Sequence, residues 1–463
     1  HLKTSRVRIS LSRNTIREEA LMPIDDFITS ALNLPSDQIE SISTVKDNGT
    51  MNVYMTLKPK NCDCPYCGGK TKSKGLKARL IRTQDSAGLP TVIHWKQRRY
   101  TCKDCGRSFM ENNILAPRNM TSTYSLLNQV VMDLRNIRLS LTEISKRAHL
   151  SLSTVELYTD SFLQIPRQYL PTNLGIDELH SDMAKYGSSY LCILTDNDNR
   201  CLIDVLPSRS KHELSKYFEA IPKSERDAVL YVTMDMWQPY KDVIQKYCQK
   251  AVISVDSFHV IENLSDDFSK LRIDIMNQQP YQSAGYYLLK KWHWLLEKDI
   301  DLDNEPQYNG YFRKKMNYRE IYNLLLQINP DLTLAYQLKE MYRSFNQKAT
   351  EFDCKDRFNL VLEEFIKSDL PCYRNFQQLL STWKSEILNS FTHTSEDRRQ
   401  SNALAENING QLRVLIAVSN GYSNFLRFRA RAIFGLNKHV TYTITDTLFS
   451  NKRTGRSRGH YSK

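Results

Sequence analysis

Apolar positions change their period several times along this chain, and each change marks a boundary. Between residues 173 and 256 they come in short runs bounded by turn residues, the pattern of strands. The runs predict strands at Asn173–Leu179, Tyr190–Leu194, Cys201–Leu206, Val229–Asp235 and Val252–Val255. Asp196-Asn-Asp-Asn-Arg200 reads as a hairpin turn between the second and third. Lys211–Ala220 has helical spacing and serves as a crossover, so that the fourth strand can lie parallel to the first.

On either side the pattern differs. Ile24–Asn33 has helical spacing, and Gln38–Val45 with Asn52–Leu57 predict two strands around Asp47-Asn-Gly49. Residues 121–165 are helical with a break near His149-Leu-Ser151. From 276 to 400 apolar residues recur every three or four positions and strand signals vanish, which predicts an all-helical block inserted into the α/β region. The expected organisation is a small α+β lead-in (1–59), a cysteine-bearing segment (60–116), a bihelical segment (117–168), an α/β core (169–275), the helical insertion (276–400), the closing helices of the core (401–449) and a basic tail (450–463). The class is multidomain α/β.

Composition narrows the function. Of 463 residues, 41% are hydrophobic and 10% aromatic, enough for real cores and unlike a disordered chain. No apolar stretch approaches the roughly 18–20 residues of a membrane span, and His1-Leu-Lys opens no signal core. Cysteine usage without a disulfide framework makes a cytoplasmic location the expectation. The net charge of +13 reads as spread through the chain, and it favours a polyanionic partner, DNA or RNA before membrane.

Cys64-Pro-Tyr-Cys67-Gly and Cys102-Lys-Asp-Cys105-Gly are two CxxC knuckles, each followed by the glycine a tight turn needs. Four thiolates fill a tetrahedral Zn²⁺ site and leave no position for water, so the ion is read as a structural staple. Thr91–Tyr100 is a strand leading into the second knuckle. Cys62 is a spare thiol that can replace Cys64, and His94 an ordinary strand residue. Lys96, Arg98 and Arg99 beside the ribbon form either a phosphate-contacting edge or a solvated face.

Ser140–Tyr158 has the rhythm of a helix-turn-helix. Ser140 and Glu143 suit a capping box, Ile144 and Ala148 face inward, and a second helix begins at Ser153. Ser153, Thr154 and Glu156 would then face a major groove; two packed helices without DNA are the plainer reading.

The predicted strands put Asp177 on the central strand and Asp235 at the tip of its neighbour, as a ribonuclease H-like sheet does to hold a divalent metal. Two carboxylates this close are costly unless a cation lies between them. Asp256 is a rival second acid that can also cap the following helix, with His259 one turn in. Trp237 and Tyr240 can stack on a base or pack in the core. On a later helix Glu406, Asn409 and Arg413 share one face, with Asn409 and Arg413 near phosphate. The residues alone do not single Glu406 out from other glutamates.

Several stretches together resemble the ISL-three family of bacterial insertion-sequence transposases. They are the ribbon pairs with Arg98-Arg-Tyr-Thr-Cys, Ile176-Asp-Glu, Asp235-Met-Trp-Gln-Pro-Tyr240, Val255-Asp-Ser-Phe-His-Val260, Ser401-Asn-Ala-Leu-Ala-Glu-Asn-Ile-Asn409 and Gly421–Arg431. The resemblance covers nearly the whole chain. It implies a DDE transposase whose ribonuclease H-like core is interrupted by the insertion, and it makes Glu406 the third acid. It also looks like the Mutator-type layout, in which an element of the kind Asp256–His259 follows the second acid. Where the family commonly has glycines around the final Glu, this chain has Ala403 and Asn407, which a helix accepts. The expected enzyme holds two Mg²⁺ or Mn²⁺ ions on Asp177, Asp235 and Glu406 and cuts and joins double-stranded DNA at terminal inverted repeats. Arg98, Arg99, Ser153, Thr154, Arg413, Arg427, Arg429 and Arg431 are the expected DNA contacts, and handling two ends calls for at least a homodimer. A DNA-binding regulator without cleavage is the alternative; a ribonuclease or resolvase is a third option.

Overall fold

The computed structural model describes residues 28–30, 32, 34, 36–117, 120–185, 187–392 and 399–445. The basic tail and most of the helix expected at 24–33 lie outside them. Contacts divide the chain into two compact units, one of residues 1–164 with 442–463, the other of residues 165–441.

The first unit contains a five-stranded sheet. Strands β1 (Ile39–Asp47) and β2 (Thr50–Leu57) form a hairpin. Asn48 and Gly49 turn it at φ of 45° and 74°, the left-handed pair that matches strand twist. Strands β3 (Thr71–Ser86) and β4 (Leu89–Cys102) form a long second hairpin, and β5 (Ser108–Met110) adds to β4. Parallel pairing of β2 with β4 joins the lead-in and the ribbon in one sheet of order β1-β2-β4-β3. Val53, Met55, Ile81, Ile93 and Trp95 are its buried centre. The sequence reading missed β3, where Leu76, Ala78 and Leu80 alternate with Lys77 and Arg79 but the residues before Ile81 are mostly exposed and rich in lysine.

Helices α1 (Tyr124–Arg135), α2 (Leu141–Arg147) and α3 (Leu152–Phe162) follow, N-capped by the hydroxyls of Thr123, Ser140 and Ser151. The third starts at Leu152, two residues before its Thr154 amide meets the Ser151 hydroxyl, rather than at Ser153. His149 makes the turn at φ 50°, and Ile144, Val155 and Tyr158 are buried between the helices.

The second unit is built on β6 (Asn173–His180), β7 (Tyr190–Asp196), β8 (Cys201–Leu206), β9 (Tyr231–Met234) and β10 (Val252–Val255). Their order is β10-β9-β6-β7-β8. The first three are antiparallel; β9 lies parallel to β6, and β10 parallel to β9. Helices α4 (Lys211–Glu219) and α5 (Lys223–Arg226) make the crossover to β9, and α6 (Gln238–Tyr247) the one to β10. Leu194, Phe218, Val232, Met234 and Val255 are essentially inaccessible. Each such burial is worth about 1.5–3 kcal/mol relative to exposure.

Helix α7 (Ser257–Gln278) leads from the sheet into the insertion, which holds α8 (Ala284–Lys291), α9 (Tyr318–Leu326), α10 (Pro330–Lys348), α11 (Cys354–Ser368), α12 (Arg374–Thr382) and α13 (Lys384–Asn389). It is not wholly helical: β11 (Gln307–Asn309) and β12 (Lys314–Met316) form a small hairpin, too short to leave an alternating pattern. Helices α14 (Ala403–Val418) and α15 (Phe425–Leu436) then return to the sheet.

Candidate active site and metal centres

The parallel register pairs Ile176 of β6 with Met234 of β9, so the next residues, Asp177 and Asp235, stand side by side at the end of the shared ladder. Asp177 is 5% exposed. Its Oδ1 accepts the Glu178 amide at 2.7 Å and its Oδ2 accepts Asn409 Nδ2 at 2.8 Å. Burial, then the negative charge of Asp235, pushes its carboxyl up to about 7. From the first turn of α7, His259 brings Nε2 within 3.0 Å of Asp235 Oδ1 and Nδ1 within 3.0 Å of Glu262. The Asp235 carboxylate pushes this imidazole up to about 10.

Ligand atoms of Asp177, Asp235 and His259 all lie within 4.8 Å of one another. Asp235 Oδ1 is buried yet accepts no hydrogen bond of good geometry. A buried carboxylate and a half-buried one beside an imidazole form a donor set that a hard divalent cation fits.

Asp256 has another task. It caps α7 by accepting the Phe258 amide at 3.0 Å, and its second oxygen accepts the Asn402 amide at 2.9 Å. Glu406 lies on the first turn of α14, exposed. Partial burial, then Asp256, raises its carboxyl, with His259 opposing and Asp235 adding. Glu406 thus feels the acidic centre but stands outside the close group, where His259 is found instead.

In the ribbon, Cys64, Cys67, Cys102 and Cys105 converge. Sγ separations are 3.7 Å for Cys64–Cys105 and 3.5 Å for Cys67–Cys102. Thiolates tetrahedral about Zn²⁺ at ≈ 2.3 Å stand about 3.8 Å apart, so the set fits the ion. Gly68 and Gly106, after the two knuckles, have φ of 72° and 71°, a conformation that disfavours a side chain. Cys62 packs against Thr71 outside the cluster. His94 stacks on Tyr54 and bonds Asn52, as an ordinary strand residue.

Comparison with known proteins covers the regions that hold both centres. The family model for ISL3 transposases matches residues 174–432, more than half of the chain. This chain belongs to the ISL3 family of insertion-sequence transposases. The zinc-finger model of the transposases of IS204, IS1001, IS1096 and IS1165 matches residues 60–105. The transposase for insertion sequence element IS1001 of Bordetella parapertussis is 23% identical over 406 residues, covering 85% of this chain and 94% of that protein.

The expected DNA contacts of the transposase fall in unlike places. Arg99 and Ser153 are exposed, and so is Arg413 on α14. Arg98 is drawn inward, meeting Glu40 at 3.2 Å and the Leu57 carbonyl at 3.3 Å. Thr154 takes part in the α3 cap, and Arg427 is half-buried. Two arginines of α15 belong to the core. Arg429 forks onto Asp204 at 2.5 and 2.9 Å, and Arg431 is 0% exposed and bonds the Tyr422 hydroxyl. The clustering of Arg427, Arg429 and Arg431 predicted backbone contacts to DNA, but the fold turns the last two inward. Asn409 also belongs to Asp177 rather than to phosphate. Tyr240 is buried, and one face of Trp237 is covered by the Arg209 guanidinium at 4.6 Å, so packing takes both rings.

Sequence reasoning undervalued His259 as a member of the close group and missed the structural use of Asn402. The only signal for Asn402 was its place one helical turn before Glu406.

Proposed function

We propose that this transposase is a divalent-metal-dependent DDE enzyme with a ribonuclease H-like core, which binds the terminal inverted repeats of its element and carries out strand cleavage and strand transfer. The observation that carries the reading is the β6–β9 register, which sets Asp177 beside Asp235 with ligand atoms of both and of His259 within 4.8 Å of one another. The strand order and directions, three antiparallel strands followed by two parallel ones on the far side of the first, support the core assignment. Mg²⁺ or Mn²⁺, two ions in the full reaction, would be held by Asp177 and Asp235, with Glu406 supplied from α14. Bound there, the ions supply the charge that activates water or a 3′-hydroxyl and stabilises the leaving oxygen.

The residues of the chain do the rest. Asp177 is pre-positioned on β6 and Asp235 just past the end of β9, so little reorganisation is needed when phosphate arrives. His259 balances the negative charge of Asp235 from the side of α7. The ribbon and helices α2 and α3, read as a helix-turn-helix, serve as the DNA-binding part, with the exposed Arg99, Ser153 and Arg413 as contacts. Handling two ends calls for a homodimer or larger assembly, in the cytoplasm where DNA is accessible. Among the described residues no helix is long and apolar enough to cross a membrane.

The test is strand cleavage and joining on end-bearing DNA with Mg²⁺, comparing the parent with Asp235→Ala and Glu406→Gln. Both variants should lose at least 100-fold in rate while still binding the ends. Equal cleavage by parent and Asp235→Ala would overturn the reading. End binding by a parent that never cleaves would favour a regulator.

A further inference from the structure

The segment leaving the helical insertion docks on the sheet through amides, not only through apolar packing. Gln400 is buried, and its Oε1 accepts the Ser254 hydroxyl at 2.6 Å and the Thr233 hydroxyl at 3.4 Å, reaching β10 and β9. Asn402 is fully buried: its backbone amide donates to Asp256, and its Nδ2 donates to the Ile176 carbonyl at 2.9 Å. Two helical turns later Asn409, 3% exposed, donates through Nδ2 to Asp177 Oδ2 at 2.8 Å and to the Glu178 carbonyl at 3.0 Å. Three strands are thus gripped by three amide side chains within ten residues, and the α7 cap by the Asn402 backbone amide. The fit is close, since a Cβ on Gly175 would lie 2.2 Å from Thr195 Oγ1 and 3.1 Å from Asn402 Oδ1.

Apolar residues would fill the same space without leaving Gln400 Nε2, Asn402 Oδ1 and Asn409 Oδ1 unsatisfied. What apolar packing lacks is direction. A helix held only by Ala405, Ile408 and Leu412 can slide or roll, whereas one held by amide donors to fixed carbonyls and a carboxylate has one register. Glu406 lies between Asn402 and Asn409, four residues after one and three before the other, on the face they define.

We propose that Asn409 is a positioning residue that orients the Asp177 carboxylate, and that Asn402 and Gln400 fix the register of α14 so that Glu406 is presented to the same centre. This deepens the metal-dependent reading given above and rests on it. Asn409 touches no reacting atom. Its amide holds Asp177 Oδ2 in place while Glu178 N holds Oδ1, and each oxygen keeps a lone pair for a cation.

The test is Mn²⁺ binding to the full chain, followed by electron paramagnetic resonance of the free ion, for the parent, Asp177→Asn, Asn409→Ala and Asn409→Leu. Leucine fills the asparagine volume and covers the case in which the alanine cavity unfolds the protein. Thermal melting and end-DNA binding are measured beside it. The expected result is a folded variant that binds end DNA like the parent but holds Mn²⁺ about tenfold more weakly, the usual effect of losing a group that orients a ligand. A folded variant with the parent's Mn²⁺ affinity would overturn the inference and leave the metal-dependent reading standing. A parent that binds no Mn²⁺ and cuts no DNA would remove both.

Discussion

At the scale of single residues, the centre is costly in the absence of a cation, and the cost has a sign. Folding raises the Asp177 carboxyl from its ordinary 3.8 to about 7. Between those values the folded chain keeps a proton that the unfolded chain has released, so stability falls as pH rises through the window. His259 is raised from 6.5 to about 10. Its contribution is complete below the unfolded value and is lost as pH rises through the folded one. In chelator, therefore, the melting temperature of the second unit should fall by several degrees from pH 4 to pH 7. Asp177→Asn should flatten that part of the curve, and His259→Asn the part between about pH 6.5 and 10. Added Mg²⁺ should raise the parent's melting temperature at pH 8 and leave Asp177→Asn unmoved. A parent and an Asp177→Asn variant with parallel pH curves would show that burial does not strain this carboxylate. The same reasoning separates Asp256 from its neighbours: both its oxygens already accept backbone amides, so it serves as a cap.

At the scale of elements, local chemistry decided what could be foreseen. Short apolar runs announced β6 to β10, and Asn48-Gly49 announced the β1–β2 hairpin, because those signals lie within a few residues. The pairing of Asp177 with Asp235 was legible for the same reason: a crossover helix between two apolar runs leaves few topologies. Strand β3 was not legible. Its Lys72, Lys74 and Lys77 are exposed, and the short alternation Leu76-Lys77-Ala78-Arg79-Leu80 is too weak among them to announce the long pairing with β4. Nor could Arg429 and Arg431 be told from surface arginines, since their partners Asp204 and Tyr422 are fixed only by the fold. What holds β3 in place at its far end is the knuckle pair, with Asp104 packed against Gly69, where a Cβ would sit 2.0 Å from Oδ2. Zinc removal, or Cys102→Ser, should therefore release the start of β3 and the end of β4, because structural zinc supplies folding free energy directly. Hydrogen exchange should speed up by at least tenfold from Thr71 to Lys77 and from Arg98 to Cys102, while Val53 and Ile93 in the sheet centre stay protected. Uniform protection with and without the metal would mean that the strands hold without their staple.

Across the whole molecule, charge is far from evenly distributed, contrary to the even spread expected from the sequence. Residues 58–110 hold thirteen Lys and Arg against three Asp, a local excess of ten in a chain whose net charge is +13. Four thiolates on one Zn²⁺ subtract about two from that excess, and a strongly positive arm still remains. The clustered Asp177, Asp235 and His259 lie in the other unit, so under the proposed function phosphate attraction would fall to one compact unit and metal chemistry to the other. Counterion release turns this division into a number. Each phosphate contact contributes about 0.9 to the slope of log affinity against log salt for duplex DNA. Lys72, Lys74 and Lys77 of β3 are exposed cations of this segment. Replacing all three by alanine should lower the slope for end DNA by roughly 2–3 and weaken binding to end and random duplexes alike. It should leave the cleavage rate of saturated complexes within about twofold. A slope unchanged by the triple replacement would move the DNA path off β3, and a loss confined to end DNA would make these lysines readers of sequence rather than of backbone charge.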